Sequence, residues 1–283
     1  MKVILLINCP DQAGIISSVT QFLHSRNGNI VYLDQHVDKS SNVFFMRLES
    51  EFDTENFNTS TFKKIFDDVL AQPYQMHWSL HLDGLKPKMA LFVSKYKHCI
   101  YDILGRHNAG ELAVDIPFIL SNHPDLRFIA DQFNIPFYHL PFSKENSAEA
   151  EDRQLALLSE HKIDFIVLAR YMQIVSSRLI AIYPNKIINI HHSFLPAFAG
   201  AKPYHAAFKR GVKIIGATSH YVTSELDEGP IIEQDVTTVS HLHSIPDFIG
   251  KGMDLEKIVL SRAIKLHILR KTMVYNNKTI IFS

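Results

Sequence analysis

Four short, mostly apolar runs, at residues 89–93, 115–120, 164–169 and 186–190, constrain this chain more than any other feature; helical stretches such as 153–160 separate them. A strand with no polar face must be covered on both sides, and helices placed between such strands supply that cover. The pattern therefore predicts a doubly wound, mostly parallel α/β sheet. From residue 212 onward the periodicity is less regular. A strand is expected over 214–222 and a terminal helix over 253–274, with Ile258, Arg262 and Lys265 read as packing and a solvated charged face.

The segment ahead of these runs follows a different order. A strand at 3–8, a helix at 14–24, strands at 29–37 and 42–50, a helix at 62–70 and a strand at 75–82 make a ferredoxin-like βαββαβ unit. Its second helix carries Phe62, Ile65, Phe66 and Val69 at the spacing of one apolar face. Asp83-Gly84-Leu85-Lys86-Pro87-Lys88 then joins a turn dipeptide to a proline and two lysines, the composition of a short exposed linker. The expected organisation is a small domain over 1–83, a linker over 84–88 and a larger domain over 89–283, in keeping with a chain of 283 residues, longer than the usual domain of about 100–150.

Composition narrows the function classes. Hydrophobic residues at 46% and charged residues at 20% exclude a disordered chain. Lys plus Arg and Asp plus Glu both number 29, so no net positive field exists to hold a polyanion, and nucleic acid is excluded as a partner. The apolar run that opens the chain stops at Pro10-Asp11, too short for a secretory core or a membrane span; no membrane partner and a cytoplasmic location are expected. Cys9 and Cys99 have no spacing that builds a disulfide framework or a zinc site. The pairs His191-His192 and His241-Leu242-His243 lack the neighbouring ligands of a metal motif, so no metal is expected.

Polar chemistry gathers where the run 186–190 ends. Asn189-Ile190-His191-His192-Ser193-Phe194-Leu195-Pro196 delivers an amide and an imidazole at the carboxyl end of a buried strand, where ligands bind in open α/β sheets. Alternation puts Asn189 and His191 on one face. After the next strand comes the acidic loop Tyr221-Val222-Thr223-Ser224-Glu225-Leu226-Asp227-Glu228-Gly229-Pro230. Taken singly, the first motif also reads as a capped strand end and the second as a solvated turn.

Together, Asn189-Ile190-His191, Ser193-x-Leu195-Pro196 and Asp227-x-Gly229-Pro230-Ile231 resemble the signature of the folate-dependent formyltransferases and their hydrolytic relatives. His192 and Phe194 make the likeness closest to the 10-formyltetrahydrofolate deformylases. Cys9-Pro10-Asp11-Gln12-Ala13-Gly14-Ile15-Ile16, Ser121-Asn122-His123-Pro124 and Leu168-Ala169-Arg170-Tyr171-Met172-Gln173 extend it over both domains. The resemblance implies a catalytic set of Asn189, His191 and Asp227. It also implies a folate contact at Met172-Gln173-Ile174-Val175, where Gln173 stands in place of the arginine common in transferases. The substrate implied is 10-formyltetrahydrofolate, with no cofactor beyond it, and His220 is a candidate for tuning Asp227.

Those residue types suit the chemistry. Attack on a formyl carbon builds negative charge on its oxygen, which N–H groups of Asn189 and His191 can stabilise, while Asp227 orients or deprotonates water and His191 returns a proton to the leaving nitrogen. The transferase that formylates glycinamide ribonucleotide carries a glycine-rich phosphate loop after its first strand. Here that place reads Phe92-Val93-Ser94-Lys95-Tyr96-Lys97-His98-Cys99-Ile100, without glycine, although Lys95 and Lys97 remain able to hold an anion. Water is therefore the expected acceptor, with formate release serving purine synthesis and the one-carbon folate pool; phosphoribosylglycinamide formyl transfer is the alternative.

The stretch from Cys9 to Ile16 resembles the strand-to-helix turn of ACT domains, which bind amino acids between paired copies. That likeness implies an effector site at Asp11 and Gly14 and a homo-oligomer, a dimer or tetramer. The same residues also make a helix entrance with no ligand, and an amino-acid sensor with an inactive catalytic half is the reading from a different class.

Overall fold

A computed structural model of the chain describes residues 1–53, 57–142, 146–197 and 203–283. They divide into two compact units, Met1–Leu85 with Ile281–Ser283, and Lys86–Ile280.

The first unit contains β1 (Lys2–Pro10), α1 (Ile15–His24), β2 (Asn29–Asp38), β3 (Val43–Glu51), α2 (Thr59–Phe66), a π turn (Asp67–Ala71), α3 (Gln72–Tyr74) and β4 (His77–Leu82). The strands form one antiparallel sheet in the order β2-β3-β1-β4. As a central strand, β1 is buried from Val3 to Leu6 and at Ile7, which explains its unbroken apolar run; β2 lies at the edge and is largely half-exposed. On α1, Ile15, Val19, Phe22 and Leu23 recur at helical spacing, and they pack with Phe62 and Phe66 of α2 over the sheet. The helix expected at 62–70 starts earlier and passes through a π turn. The last strand starts only at His77, because Gln75 adopts a left-handed φ of +53° that ends α3. At the chain end, the Ser283 N–H donates to Asp34 Oδ2 at 3.0 Å and its hydroxyl donates to the same oxygen at 3.1 Å, so residues 281–283 complete the first unit.

The second unit runs β5 (Lys88–Val93), α4 (His98–Asn108), β6 (Asp115–Ser121), α5 (Arg127–Gln132), β7 (Phe137–His139), α6 (Ser147–Glu160), β8 (Phe165–Ala169), α7 (Ser177–Ile182), β9 (Ile187–His191), α8 (Pro203–Arg210), β10 (Ile214–Tyr221), β11 (Ile231–Thr238), α9 (Ile245–Ile268), β12 (Thr272–Tyr275) and β13 (Lys278–Ile281). Its main sheet has the order β11-β10-β9-β8-β5-β6-β7. The strands from β9 to β7 are parallel, whereas β10 and β11 join antiparallel.

Alternation along β5 shows the double winding directly. Met89, Leu91 and Val93 enter a core shared with α4 and α9, while Ala90 and Phe92 enter one shared with α6 and α7. The short β7 and the half-polar β11 carry too little apolar pattern to be read from sequence.

The terminal helix differs from its expected place at 253–274. It begins at Ile245, because Ser244 and Asp247 form a reciprocal capping box with Pro246 in the first turn. It ends at Ile268, and the chain continues as the hairpin β12–β13, whose Asn276-Asn277 turn has φ of +44° and +57°, values that match a tight twisted hairpin.

Candidate active site

Ile188 and Ile190 of β9 face the core beside α9, and Ile187 faces the opposite one, so Asn189 and His191 take the parity of Ile187. The antiparallel strand β10 sets His220 opposite Asn189 and Thr218 opposite His191. A register shift between β10 and β11 falls at Ser219/His220, the kind of bulge that re-aims a side chain at the edge of a site.

The loop after β10 brings the carboxylate. Its base is closed by the Tyr221 N–H donating to the Pro230 carbonyl at 2.9 Å. Gly229 passes so near Tyr221 that any Cβ there would collide with the Tyr221 carbonyl oxygen. Asp227 sits in the left-handed region at φ +58°, which turns its side chain to the two histidines. Its Oδ2 lies 3.2 Å from His191 Nδ1, and its Oδ1 lies 3.6 Å from His220 Nε2.

Hydrogen-bond logic assigns the protons. His220 Nδ1 is 2.9 Å from the Tyr221 carbonyl, so it carries the hydrogen and donates, and Nε2 is left to accept from the Asn189 amide nitrogen at 3.2 Å. One amide hydrogen of Asn189 is thereby committed and the other is available. His191 Nδ1–H donates to Asp227, and its buried Nε2 has no protein partner. The His191 Nδ1–H contact, resisted by partial burial, holds the Asp227 carboxyl well below the ordinary carboxylate range. Asp227 is therefore an anion throughout the neutral range.

Asn189, His191, His220 and Asp227 line one cleft of about 310 Å³ together with Met172, Gln173, Ile174 and Val175. Met172 and Ile174 are exposed at its rim, at 49% and 75%. Two backbone donors of this segment are already engaged: the Met172 N–H by the Ser94 hydroxyl at 3.1 Å and the Gln173 N–H by the Tyr171 carbonyl at 2.6 Å. Neither N–H is free to meet a folate.

Arg170 also lines the cleft. The sequence signal for it is a cation directly after a wholly buried strand. Asp11 and Gly14 lie elsewhere, in the first unit, on a concavity shared with Gln12, Ile15, Ser17 and Gln35. Gly14 has φ +95° and opens α1 with no side-chain cap.

Among the described residues, one group of potential metal ligands converges within 4.8 Å: His98, Cys99 and Glu256, distinct from both histidine pairs singled out in the sequence. Both Glu256 oxygens are taken, by His98 at 2.8 Å and Tyr204 at 2.7 Å, and the Arg170 cation lies 3.5 Å away, an arrangement suited to a buried ion pair. Lys97 places its ammonium over the Phe128 ring at 5.3 Å.

A formyl transferase family model matches residues 87–264, and an ACT domain model matches residues 3–59. The formyltetrahydrofolate deformylase of Synechocystis sp. is 50% identical over 279 residues, covering 99% of this chain and 98% of the relative; that of Bacillus subtilis is 44% identical over 280 residues, covering 99% and 93%. The crystal structure of a formyltetrahydrofolate deformylase from Pseudomonas syringae pv. tomato superposes with a TM-score of 0.96 at 44% identity, covering 100% of this chain and 95% of that one. Glycinamide ribonucleotide transformylase 1 from Symbiobacterium toebii matches 72% of this chain and 98% of its own, with a TM-score of 0.66 at 27% identity.

Proposed function

The chain belongs to the formyltetrahydrofolate deformylases, and from that membership we infer that it hydrolyses 10-formyltetrahydrofolate to formate and tetrahydrofolate. The observation that carries the chemistry is the Asp227 carboxylate held against His191 Nδ1, with His191 Nε2 buried and unpartnered in the same cleft as the Asn189 amide.

In this mechanism Asp227 fixes the imidazole tautomer, so that Nε2 presents a lone pair. That Nε2 accepts a proton from water as the water oxygen attacks the formyl carbon, and Asp227 stabilises the imidazolium that forms. The remaining amide hydrogen of Asn189 stabilises the negative charge that grows on the formyl oxygen. Collapse of the intermediate breaks the bond to N10, and His191 returns the proton to that nitrogen. Water supplies the oxygen and hydrogen that formate and tetrahydrofolate gain. His220 serves through Asn189, whose amide it orients at 3.2 Å.

The folate is the substrate and no further cofactor is invoked. Met172-Gln173-Ile174-Val175 at the rim of the cleft is the proposed folate contact. Formate released here is proposed to feed purine synthesis in the cytoplasm, a location supported by two buried unpaired thiols, Cys9 and Cys99. The ACT unit supports an amino-acid effector near Asp11 and Gly14 and assembly into a dimer or tetramer through paired copies. Purified protein with EDTA and no added amine should release formate and tetrahydrofolate in equal amounts from 10-formyltetrahydrofolate. Turnover that requires an amine acceptor would remove this reading.

A further inference from the structure

Buried polar side chains gather where β5 and β6 end. Ser94, directly after β5, is 2% exposed; Ser121 closes β6 fully buried, and Asn122 beside it is 7% exposed. This is the carboxyl edge of the sheet, where ligands bind in open α/β folds. Polar groups buried at such an edge need partners, and those of Ser94 lead to the cleft.

Hydrogen-bond direction is fixed by the one group that can only donate. The Met172 N–H donates to Ser94 Oγ at 3.1 Å, so the Ser94 hydroxyl hydrogen is left for Asn122 Oδ1, at 2.5 Å. Ser121 Oγ donates to the Ser94 carbonyl at 3.4 Å and accepts the His123 N–H at 3.1 Å. The end of β6 therefore holds Ser94 by its backbone and by its side chain. Ser121-Asn122-His123, a motif that the catalytic set does not use, turns two of its side chains to this one serine.

The peptide that Ser94 holds is one that needs support. Residues 171–176 lie between β8 and α7 in neither strand nor helix. Arg170 enters them at a left-handed φ of +61°, and the Gln173 N–H returns to the Tyr171 carbonyl, a three-residue turn centred on Met172. Both flanks are pinned. The Tyr171 ring meets Phe92 edge-on at 5.3 Å and its hydroxyl accepts from Gln154 Nε2 at 3.1 Å, while Ser176 donates to Glu151 Oε1 at 2.6 Å and caps α7 through the Leu179 N–H. Between these posts the Ser94 hydroxyl takes the Met172 amide. Met172, Gln173, Ile174 and Val175 line the cleft with Asn189, His191 and Asp227, whereas Ser94 and Asn122 do not. Loss of the hydroxyl would leave the Met172 N–H and the Asn122 oxygen without this partner, the costly way of losing a hydrogen bond, and a turn with one internal bond relieves that cost by shifting.

We propose that Ser94 is a positioning residue for the folate: aimed by Asn122, its hydroxyl holds the Met172 peptide and so sets the path of residues 172–175 along the cleft. The proposal rests on the reading of 172–175 as the folate contact and deepens it. Asn189, His191 and Asp227 belong to other elements, so Ser94 acts on how the substrate is held and leaves the chemical step to them.

The test compares full-length wild type, Ser94→Ala and Ile174→Glu in formate release over a range of 10-formyltetrahydrofolate concentrations, with the fold of each checked by circular dichroism. Ser94→Ala is expected to raise KM by about fivefold or more while kcat stays within about twofold. A serine with a structural role alone would lower the denaturation midpoint and leave KM where it was; that result in folded Ser94→Ala overturns the proposal, as does a loss confined to kcat. If Ser94→Ala does not fold, Asn122→Ala, which frees the hydroxyl to turn away from the Met172 amide, decides the matter: a raised KM supports the proposal and a wild-type KM overturns it. Ile174→Glu places a charge on the exposed strap itself and is expected to raise KM as well. A wild-type KM in Ile174→Glu overturns the folate contact and the proposal with it, whereas a raised KM there beside a wild-type KM in Ser94→Ala overturns only the role of Ser94.

Discussion

Asp227 contributes a charge and a direction, and both depend on its partners. With its carboxyl held below the ordinary range by His191, the ionised form is favoured in the folded protein. The sign follows: a lowered folded pKa adds stability that is present above the unfolded value, about pH 4, and is lost as pH falls toward the folded one. In Asp227→Asn the acid-side loss of stability should therefore be shallower between about pH 4 and pH 2, read by denaturant titration at each pH. The same substitution should lower formate release by about 10²–10⁴-fold while folate binding persists. Wild-type turnover in the variant would exclude Asp227 from the chemistry. At this scale Asn189, His191 and Asp227 were legible because residue type, spacing and resemblance agree. Glu256 was not read as part of a site: a glutamate in an amphipathic helix passes for a solvated one unless its place on the apolar stripe is noticed.

Elements, more than single residues, decide where those groups point. The Asp227 loop owes its path to Gly229, whose missing Cβ lets the chain pass the Tyr221 carbonyl. Gly229→Ala is expected to cost about 2–3 kcal/mol of stability, measured by the denaturation midpoint, and to depress turnover by shifting Asp227 two residues away. An unchanged midpoint would show that the loop has room to spare. The buried parallel strands were readable because covering on both faces forces an unbroken apolar run. Less was readable where the physics is local or shared: the π turn at Asp67–Ala71, the start of α9 set by the Ser244–Asp247 box, and the hairpin at Asn276-Asn277 turn on backbone conformations that hydrophobic periodicity does not encode.

Across the whole molecule, the turn and linker residues at Asp83-Gly84 set the expected domain boundary, and the described residues divide into two compact units after Leu85. An amino-acid panel should alter formate release by the full-length protein, and Gly14→Val, strained at φ +95°, should abolish that response. A response that survives would place the effector elsewhere. Not readable was the return of residues 281–283 to the first unit, because three residues carry no periodic signal. That return has a consequence for biosynthesis. Asp34 emerges from the ribosome early, but the partner that holds its carboxylate is 249 residues downstream. The amino-terminal unit therefore gains its final clasp only after all the intervening chain has been translated, and a ribosome stalled within the catalytic unit leaves it without that clasp.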